Sequence, residues 1–322
     1  MTGMGGADRR IDVLVPVEVL RHELGPLPEG MRLIEHAPGD ELTDEMLGVE
    51  VVVFGAGQRE LLGRLDEFGA LRLVQSLSAG VDMLVGEVPE GVVLANASGA
   101  HDAPVAEWVV AMLLAHVHLL PRLFDAQRRA TWDVGANALR TAPEHTASDD
   151  LEGKRVLVLG HGSIGRAVAA RLEPFGAVTT GITRHGRDGT ATPDQLDDLV
   201  LDADALVVLA PLTDETLGMV SAEVLAKLPD EAIVLNAARG PVIDQDALER
   251  ELRSGRLRAA LDVTDPEPLP DGHPLWSARN VIITPHVAGS SRRWQARAYG
   301  VAGSQLRRYA ATLPLDNVRH GY

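Results

Sequence analysis

Three segments in the second half of the chain each carry a charged or titratable side chain just past a short apolar run. They are Asn236-Ala-Ala-Arg239-Gly240, Asp262 to Pro268 with Glu267 between two prolines, and Thr284-Pro-His286-Val-Ala-Gly289. The apolar runs read as parallel strands, and ligands sit beyond the carboxyl ends of such strands. Arg239 offers paired N–H donors for a carboxylate and its adjacent carbonyl. His286 can give a proton near neutral pH. Glu267 can accept from its other ring nitrogen, fixing the tautomer and favouring the imidazolium. These residue types suit hydride transfer to a 2-oxo acid. Each also has a structural reading alone: Arg239 as a helix cap or surface partner, Glu267 as an exposed loop acid, His286 as a buried hydrogen-bonded histidine. Their presence together, with a nucleotide-binding turn upstream, favours the chemistry.

That turn is Val156-Leu-Val-Leu-Gly160-His-Gly162-Ser163-Ile164-Gly165, a strand, a glycine turn and a helix expected over Arg166 to Leu172. Gly160 permits the tight turn, Gly162 lets a pyrophosphate approach the backbone, and Gly165 lets the helix pack on the strand. Backbone N–H groups at the helix start then hold phosphates. An NAD site calls for a carboxylate about twenty residues on, at the ribose hydroxyls. The sequence there is Thr180-Gly-Ile-Thr183-Arg184-His185-Gly-Arg187, with no acid before Asp188. A carboxylate would repel a 2′-phosphate, whereas an arginine fork binds it. The expected cofactor is therefore NADP(H), with Thr183 and Arg184 at the 2′-phosphate and Arg187 as helper. NAD(H) stays possible if these are solvated loop charges.

The elements that must position these residues alternate as in parallel α/β proteins. Expected strands are Ile11–Val15, Val49–Phe54, Leu71–Ser76 and Val92–Ala95, then Arg155–Leu159, Ala177–Ile182, Ala205–Leu209, Ala232–Asn236, Ala259–Val263 and Val281–Thr284. The later strands are continuous Val/Leu/Ile runs, as expected with helices on both faces. A buried helix is expected over Pro104 to Leu120, further helices near Ile164, Pro193, Ser221 and Asp244, and a last one over Arg292 to Tyr309. The polar stretch Asp133 to Asp150 has little apolar periodicity and reads as a linker or an arm on a partner subunit.

Composition narrows the partners. The 322 residues allow two domains, and 30 basic against 46 acidic side chains give a formal net charge of −16. Such a balance disfavours nucleic acid and anionic membranes as partners. There are no cysteines, which excludes disulfides, thiolate metal sites and a cysteine nucleophile and fits a cytoplasmic enzyme. Met1 to Arg10 lacks the apolar core of a signal peptide. No metal is expected: His116-Val-His118 is the one pair suggesting a metal hydrolase, and two residues two apart on a helix face different ways.

The chain resembles the D-isomer-specific 2-hydroxyacid dehydrogenases, which include glyoxylate/hydroxypyruvate reductases and phosphoglycerate dehydrogenases. The resemblance runs from about Ile11 to the C-terminus. It is carried by Ser78-Ala-Gly-Val-Asp82, Val105-Ala-Glu107, the glycine turn, Ala210-Pro-Leu-Thr213, Asn236-Ala-Ala-Arg239-Gly240, Asp262 to Pro268 and Thr284 to Gly289, in matching order and spacing. It implies two doubly wound parallel-sheet α/β domains, a Rossmann cofactor domain and a flavodoxin-like substrate domain, with the active site in the cleft between them. The substrate domain would take residues 1–102 and 288–322, the dinucleotide-binding domain 103–287, with a dimerisation arm at about 121–150 and a homodimer as the assembly. The resemblance makes Arg239 the substrate-binding arginine, Glu267 the supporting acid and His286 the proton donor. It makes Ala79 and Gly80 the loop whose N–H groups bind the substrate carboxylate. Ser163 and Ile164 would touch the pyrophosphate, and Pro211, Ala238 and Asp262 would line the ribose and nicotinamide, with Asp262 near the carboxamide. Gly289 closes the last cofactor-side motif. The product would be a D-2-hydroxy acid, with glyoxylate- and hydroxypyruvate-type substrates favoured.

The sequence departs from the family at four points. Thr183-Arg184 replaces the usual acid. Met83 stands where the family often has Asn or His. His161 is unusual in the glycine turn, at a position expected to face outward. A regulatory C-terminal domain like that of long phosphoglycerate dehydrogenases is not expected. Two other readings remain open: a nucleotide-sensing binding protein of the same fold, and a dehydrogenase of a non-carboxylate substrate such as phosphite.

Overall fold

The computed structural model describes residues 9–17, 21–132 and 148–319. Of the arm expected at about 121–150, residues 133–147 lie outside the described residues. The chain divides into two compact units, Met1–His101 with Arg292–Tyr322, and Asp102–Ser291.

The first unit is built on a five-stranded parallel sheet of β1 (Ile11–Pro16), β2 (Met31–His36), β3 (Val51–Phe54), β4 (Leu73–Ser76) and β5 (Val93–Ala95), in the order β2-β1-β3-β4-β5. The central strands bury both faces, as parallel strands flanked on each side must. On one face Val13, Val15, Val51, Val53 and Leu73 pack with Tyr299 and Leu306 of the helix Trp294–Ala310. On the other, Leu14, Val52 and Val74 pack with Leu61, Leu65 and Phe68. The final helix crosses Arg21–Leu24 so closely that a side chain on Gly303 would overlap the Leu24 carbonyl. The sequence reading lacks β2. Its residues Met31-Arg-Leu-Ile-Glu-His36 are mostly half-buried on an edge that pairs with β1 alone, so no continuous apolar run marks it.

The second unit carries six parallel strands, β6 (Arg155–Leu159), β7 (Val178–Ile182), β8 (Ala205–Val208), β9 (Ile233–Asn236), β10 (Arg258–Leu261) and β11 (Val281–Ile283). Their order is β7-β6-β8-β9-β10-β11. Strand order reverses beside β6, because β7 lies on one side of it and β8 on the other. Such a switch point opens a crevice at the carboxyl ends of the strands, and the glycine turn stands there. Two apolar layers sandwich the sheet, one with Val168 and Leu172 and the buried helix residues Ala106, Val109 and Leu113, the other with Leu196, Val224, Leu225 and Leu248.

The expected helix over Pro104 to Leu120 runs Asp102–Val117 and is followed by a second, Leu120–Arg128. Leu119 takes a left-handed backbone (φ 56) between them. Pro121 forces the break, since it has no N–H to continue the ladder and would clash with the preceding turn. Residues 121–128 of the arm expected at about 121–150 are thus helical. His116 is buried, and its Nε2–H donates to the Ala259 carbonyl at 2.8 Å, while His118 is exposed. No single helix among the described residues is long and apolar enough to cross a membrane.

Candidate active site

The glycine turn does mechanically what its spacing asks. Gly160 has φ +96, and a Cβ there would lie 2.6 Å from the Leu209 carbonyl carbon, so the turn is pressed onto the end of β8. Gly165 faces the Gly160 carbonyl, where a Cβ would stand 2.8 Å away, so the helix Ser163–Leu172 packs directly on the turn. Gly162, between them, faces open space: nothing lies within 4 Å of a Cβ built there. It is also the N-cap of that helix and contributes no side-chain cap. The helix starts at Ser163, one residue before the beginning expected near Ile164, so its first turn includes Ser163 and Ile164. A helix N-terminus with cleared space before it fits a pyrophosphate, with main-chain N–H groups and the helix dipole facing negative charge.

The turn is clipped to β7, with Gly160 N and His161 N both donating to the Ile182 carbonyl, at 3.0 and 2.9 Å. Thr183 follows directly. Its hydroxyl is 2.6 Å from that of Thr190 and accepts from Arg187 N at 3.3 Å. Arg184 is exposed and bonded to Glu215, also exposed. An exposed ion pair contributes little, so Arg184 can leave Glu215 for a doubly charged phosphate at small cost. The sequence reading did not single out Glu215. His161 does not face outward as expected. Its ring is half-buried against Gly181 of β7, where a side chain would collide with it.

Three loops at the carboxyl ends of β9, β10 and β11 carry the candidate chemistry, and each is tied to the next. Asn236, at the end of β9, accepts from Ala238 N at 3.0 Å and donates to the Arg239 carbonyl at 3.0 Å. This folds the chain back and presents the half-buried Arg239 side chain, whose Nη1 donates to the Ala238 carbonyl at 2.7 Å. Gly240 then presses against Thr264 so closely that any side chain would overlap it. Gln245 locks the same approach, accepting from Asp265 N at 2.8 Å and donating to its carbonyl at 2.5 Å. Glu267, on the β10 loop, accepts from His286 Nδ1 at 2.6 Å. The carboxylate can only accept, so Nδ1 carries hydrogen and Nε2 is left to exchange a proton with a ligand. His286 is 48% and Glu267 40% exposed, so this pair is open to an incoming molecule.

His286 has a left-handed backbone (φ 53), which a residue with a side chain adopts only when its surroundings hold it. Asp262 does the holding. Its carbonyl accepts from His286 N at 2.7 Å. Its carboxylate Oδ1 accepts from the Thr284 hydroxyl at 2.5 Å and Val287 N at 2.8 Å, and Oδ2 from Ala288 N at 2.9 Å. Asp262 is buried, at 3% exposure. It is first a clamp on the His286 loop, a role the sequence did not disclose. The clamp extends to Trp108, whose indole N–H donates to Thr284 Oγ1 at 3.1 Å.

Of the other expected residues, Ala238 is buried beside the Arg239 turn, Pro211 is exposed after β8, and Gly289 follows the His286 loop. Ala79 and Gly80 lie in the first unit, just past β4. There Ser76 Oγ accepts from Ser78 N at 3.0 Å, and Asn96 donates to the Ala79 carbonyl.

Comparison with known proteins gives a consistent family. The model of the D-isomer specific 2-hydroxyacid dehydrogenase NAD binding domain matches residues 110–288. A mouse (Mus musculus) glyoxylate reductase/hydroxypyruvate reductase is 32% identical over 79% of this chain and 79% of its own. The crystal structure of a D-isomer specific 2-hydroxyacid dehydrogenase from Xanthobacter autotrophicus Py2, in complex with NADPH and MES, is 30% identical with a TM-score of 0.79, covering 96% of this chain and 98% of that one. An NADPH-dependent glyoxylate/hydroxypyruvate reductase from Sinorhizobium meliloti, solved with NADP and sulfate, is 27% identical with a TM-score of 0.78, covering 96% and 98%.

Proposed function

Because the chain belongs to the D-isomer specific 2-hydroxyacid dehydrogenase family, whose members use NAD(P)(H), we propose that it reduces a small 2-oxo acid of the glyoxylate or hydroxypyruvate type to a D-2-hydroxy acid, with NADP(H) preferred. The observation that carries this reading is the His286–Glu267 contact on a loop clamped by Asp262.

Bound NAD(P)H would supply the hydride that reduces C2 of the oxo acid. Arg239 holds the substrate carboxylate and polarises the neighbouring carbonyl, with the N–H groups of Ala79 and Gly80 assisting at the carboxylate. His286 Nε2 gives its proton to the C2 oxygen as negative charge develops there, and Glu267 stabilises the imidazolium until that transfer. Gly160, Gly162, Ser163, Ile164 and Gly165 would hold the pyrophosphate, and Thr183 and Arg184 the 2′-phosphate. Pro211, Ala238, Asp262 and Gly289 would border the ribose and nicotinamide. The enzyme is cytoplasmic and acts as a homodimer in this reading. Phe124, in the middle of the helix Leu120–Arg128 and 50% exposed, and Trp132, beyond its end and 83% exposed, support that assembly.

The test is loss of reduced-nicotinamide absorbance with NADPH, and separately NADH, against glyoxylate, hydroxypyruvate, pyruvate and phenylpyruvate. Turnover of the first two with NADPH ahead of NADH is expected. No turnover by folded, nucleotide-binding protein would overturn the reading. Sedimentation of the pure protein as a monomer would remove the dimer from it.

A further inference from the structure

We propose that His161, the second residue of the glycine turn, reads the ribose 2′-position of the cofactor, and that Gly181 is the seat that puts its ring there. This rests on the proposed NADP(H) preference and adds a residue to it.

The seat is explicit. A Cβ on Gly181 would stand 2.7 Å from the Cβ and Cδ2 of His161, and closer still to its Cγ. The imidazole therefore occupies the space that any other residue at 181 would fill. Its main chain is bonded to Ile182, one residue before Thr183. The end of this second strand is where dinucleotide-binding folds meet the ribose 2′ group. The ring thus rests the pyrophosphate turn on β7 at Gly181, two residues before Thr183, the first of the two residues assigned to the 2′-phosphate. It is half-buried, which limits the orientations it can take.

The electrostatics agree. The His161 ring is pushed below its ordinary pKa, first by burial and then by the charge of Arg166 on the adjoining helix. Both effects favour the neutral ring, an N–H donor, beside the Arg166 cation. On the strand face it covers, Thr179 and Gly181 bring no charge. An anion arriving beside the ring meets a donor pre-set by packing and the positive field of Arg166, with Arg184 one residue past Thr183. A ribose hydroxyl gains far less from the same surroundings than a phosphate does.

The test is calorimetric binding of adenosine 2′,5′-bisphosphate against 5′-AMP, two probes that differ only at the 2′-position. For wild type, tighter binding of the bisphosphate is expected. His161→Ala and His161→Phe should each weaken the bisphosphate about tenfold while leaving 5′-AMP within about twofold. His161→Phe fills the seat without a donor, so it separates packing from recognition. Gly181→Ala should reproduce the loss by expelling the ring, and the double variant His161→Ala/Gly181→Ala should lose no more than either alone. Equal weakening of both probes would make His161 only a support of the turn and overturn the proposal. Unchanged discrimination in the His161 variants would remove His161 while leaving Thr183 and Arg184 in place. A wild-type protein that binds the two probes equally would remove the NADP(H) preference and this proposal with it.

Discussion

The Thr284 hydroxyl donates to Asp262 across 2.5 Å and accepts the Trp108 indole N–H at 3.1 Å, so a residue of the helix Asp102–Val117 reaches the loop of His286 through one hydroxyl. Thr284→Val keeps the shape and removes both bonds. We predict a fall in kcat of about tenfold with nucleotide affinity unchanged, and recovery in Thr284→Ser. An unaltered kcat would separate this contact from catalysis.

The acid pair makes a sharper prediction. His286→Ala should lower kcat/KM by about 10²- to 10⁴-fold, and Glu267→Gln by a smaller factor, because the amide still accepts from Nδ1 but carries no charge. Single-turnover reduction with saturating NADPH distinguishes this from slower product release. Full activity in His286→Ala would dismiss it as the proton donor.

The two glycines of the turn should part company. Gly160→Ala meets a positive φ and the Leu209 carbonyl carbon, and should cost about 2 kcal/mol or more of stability in a urea titration. Gly162→Ala meets nothing within 4 Å, so it should melt like wild type yet bind nucleotide more weakly. Normal nucleotide binding by Gly162→Ala would contradict the cradle.

His116 links stability to pH. Burial pushes it down to about 4, against the pull of the Ala259 carbonyl. The unfolded chain therefore binds a proton that the folded chain refuses, and stability falls as pH drops from about 6.5 towards 4 and is flat with respect to this group above that window. The full effect is about 3 kcal/mol. In His116→Gln, which can still donate to Ala259, urea midpoints at about pH 5 and pH 7.5 should lie closer together than in wild type. An identical spacing in the two proteins would refute the assignment.

The parts legible in the sequence are those written locally. The strand–turn–helix at Gly160 and the three strand-end motifs at Arg239, Glu267 and His286 each occupy about ten contiguous residues or fewer, and the strand ends of the second unit fall within two residues of their expected places. What was not legible depends on approach in space. The Trp108–Thr284 bond joins positions 176 apart, and no periodicity announces it. His161 appeared to face outward because nothing near it in sequence shows that Gly181 leaves room for it. Asp262 could be matched to a motif, but its work as a clamp follows from the path of the loop after β11. The missing strand β2 reflects its edge position, where half-buried side chains blur the alternation that marks strands.

The close crossing of Gly303 over Leu24 has a consequence for how the protein is made. The second unit is contiguous in sequence and emerges from the ribosome whole. The first waits, because Tyr299 and Leu306 complete one of its apolar layers from a helix synthesised after the second unit. The hypothesis that follows is vectorial folding with an early centre and late flanks. Nascent chains stalled after residue 291 should protect the second unit from protease and leave the first open. Protection of both at that length would show that the first sheet closes without its final helix.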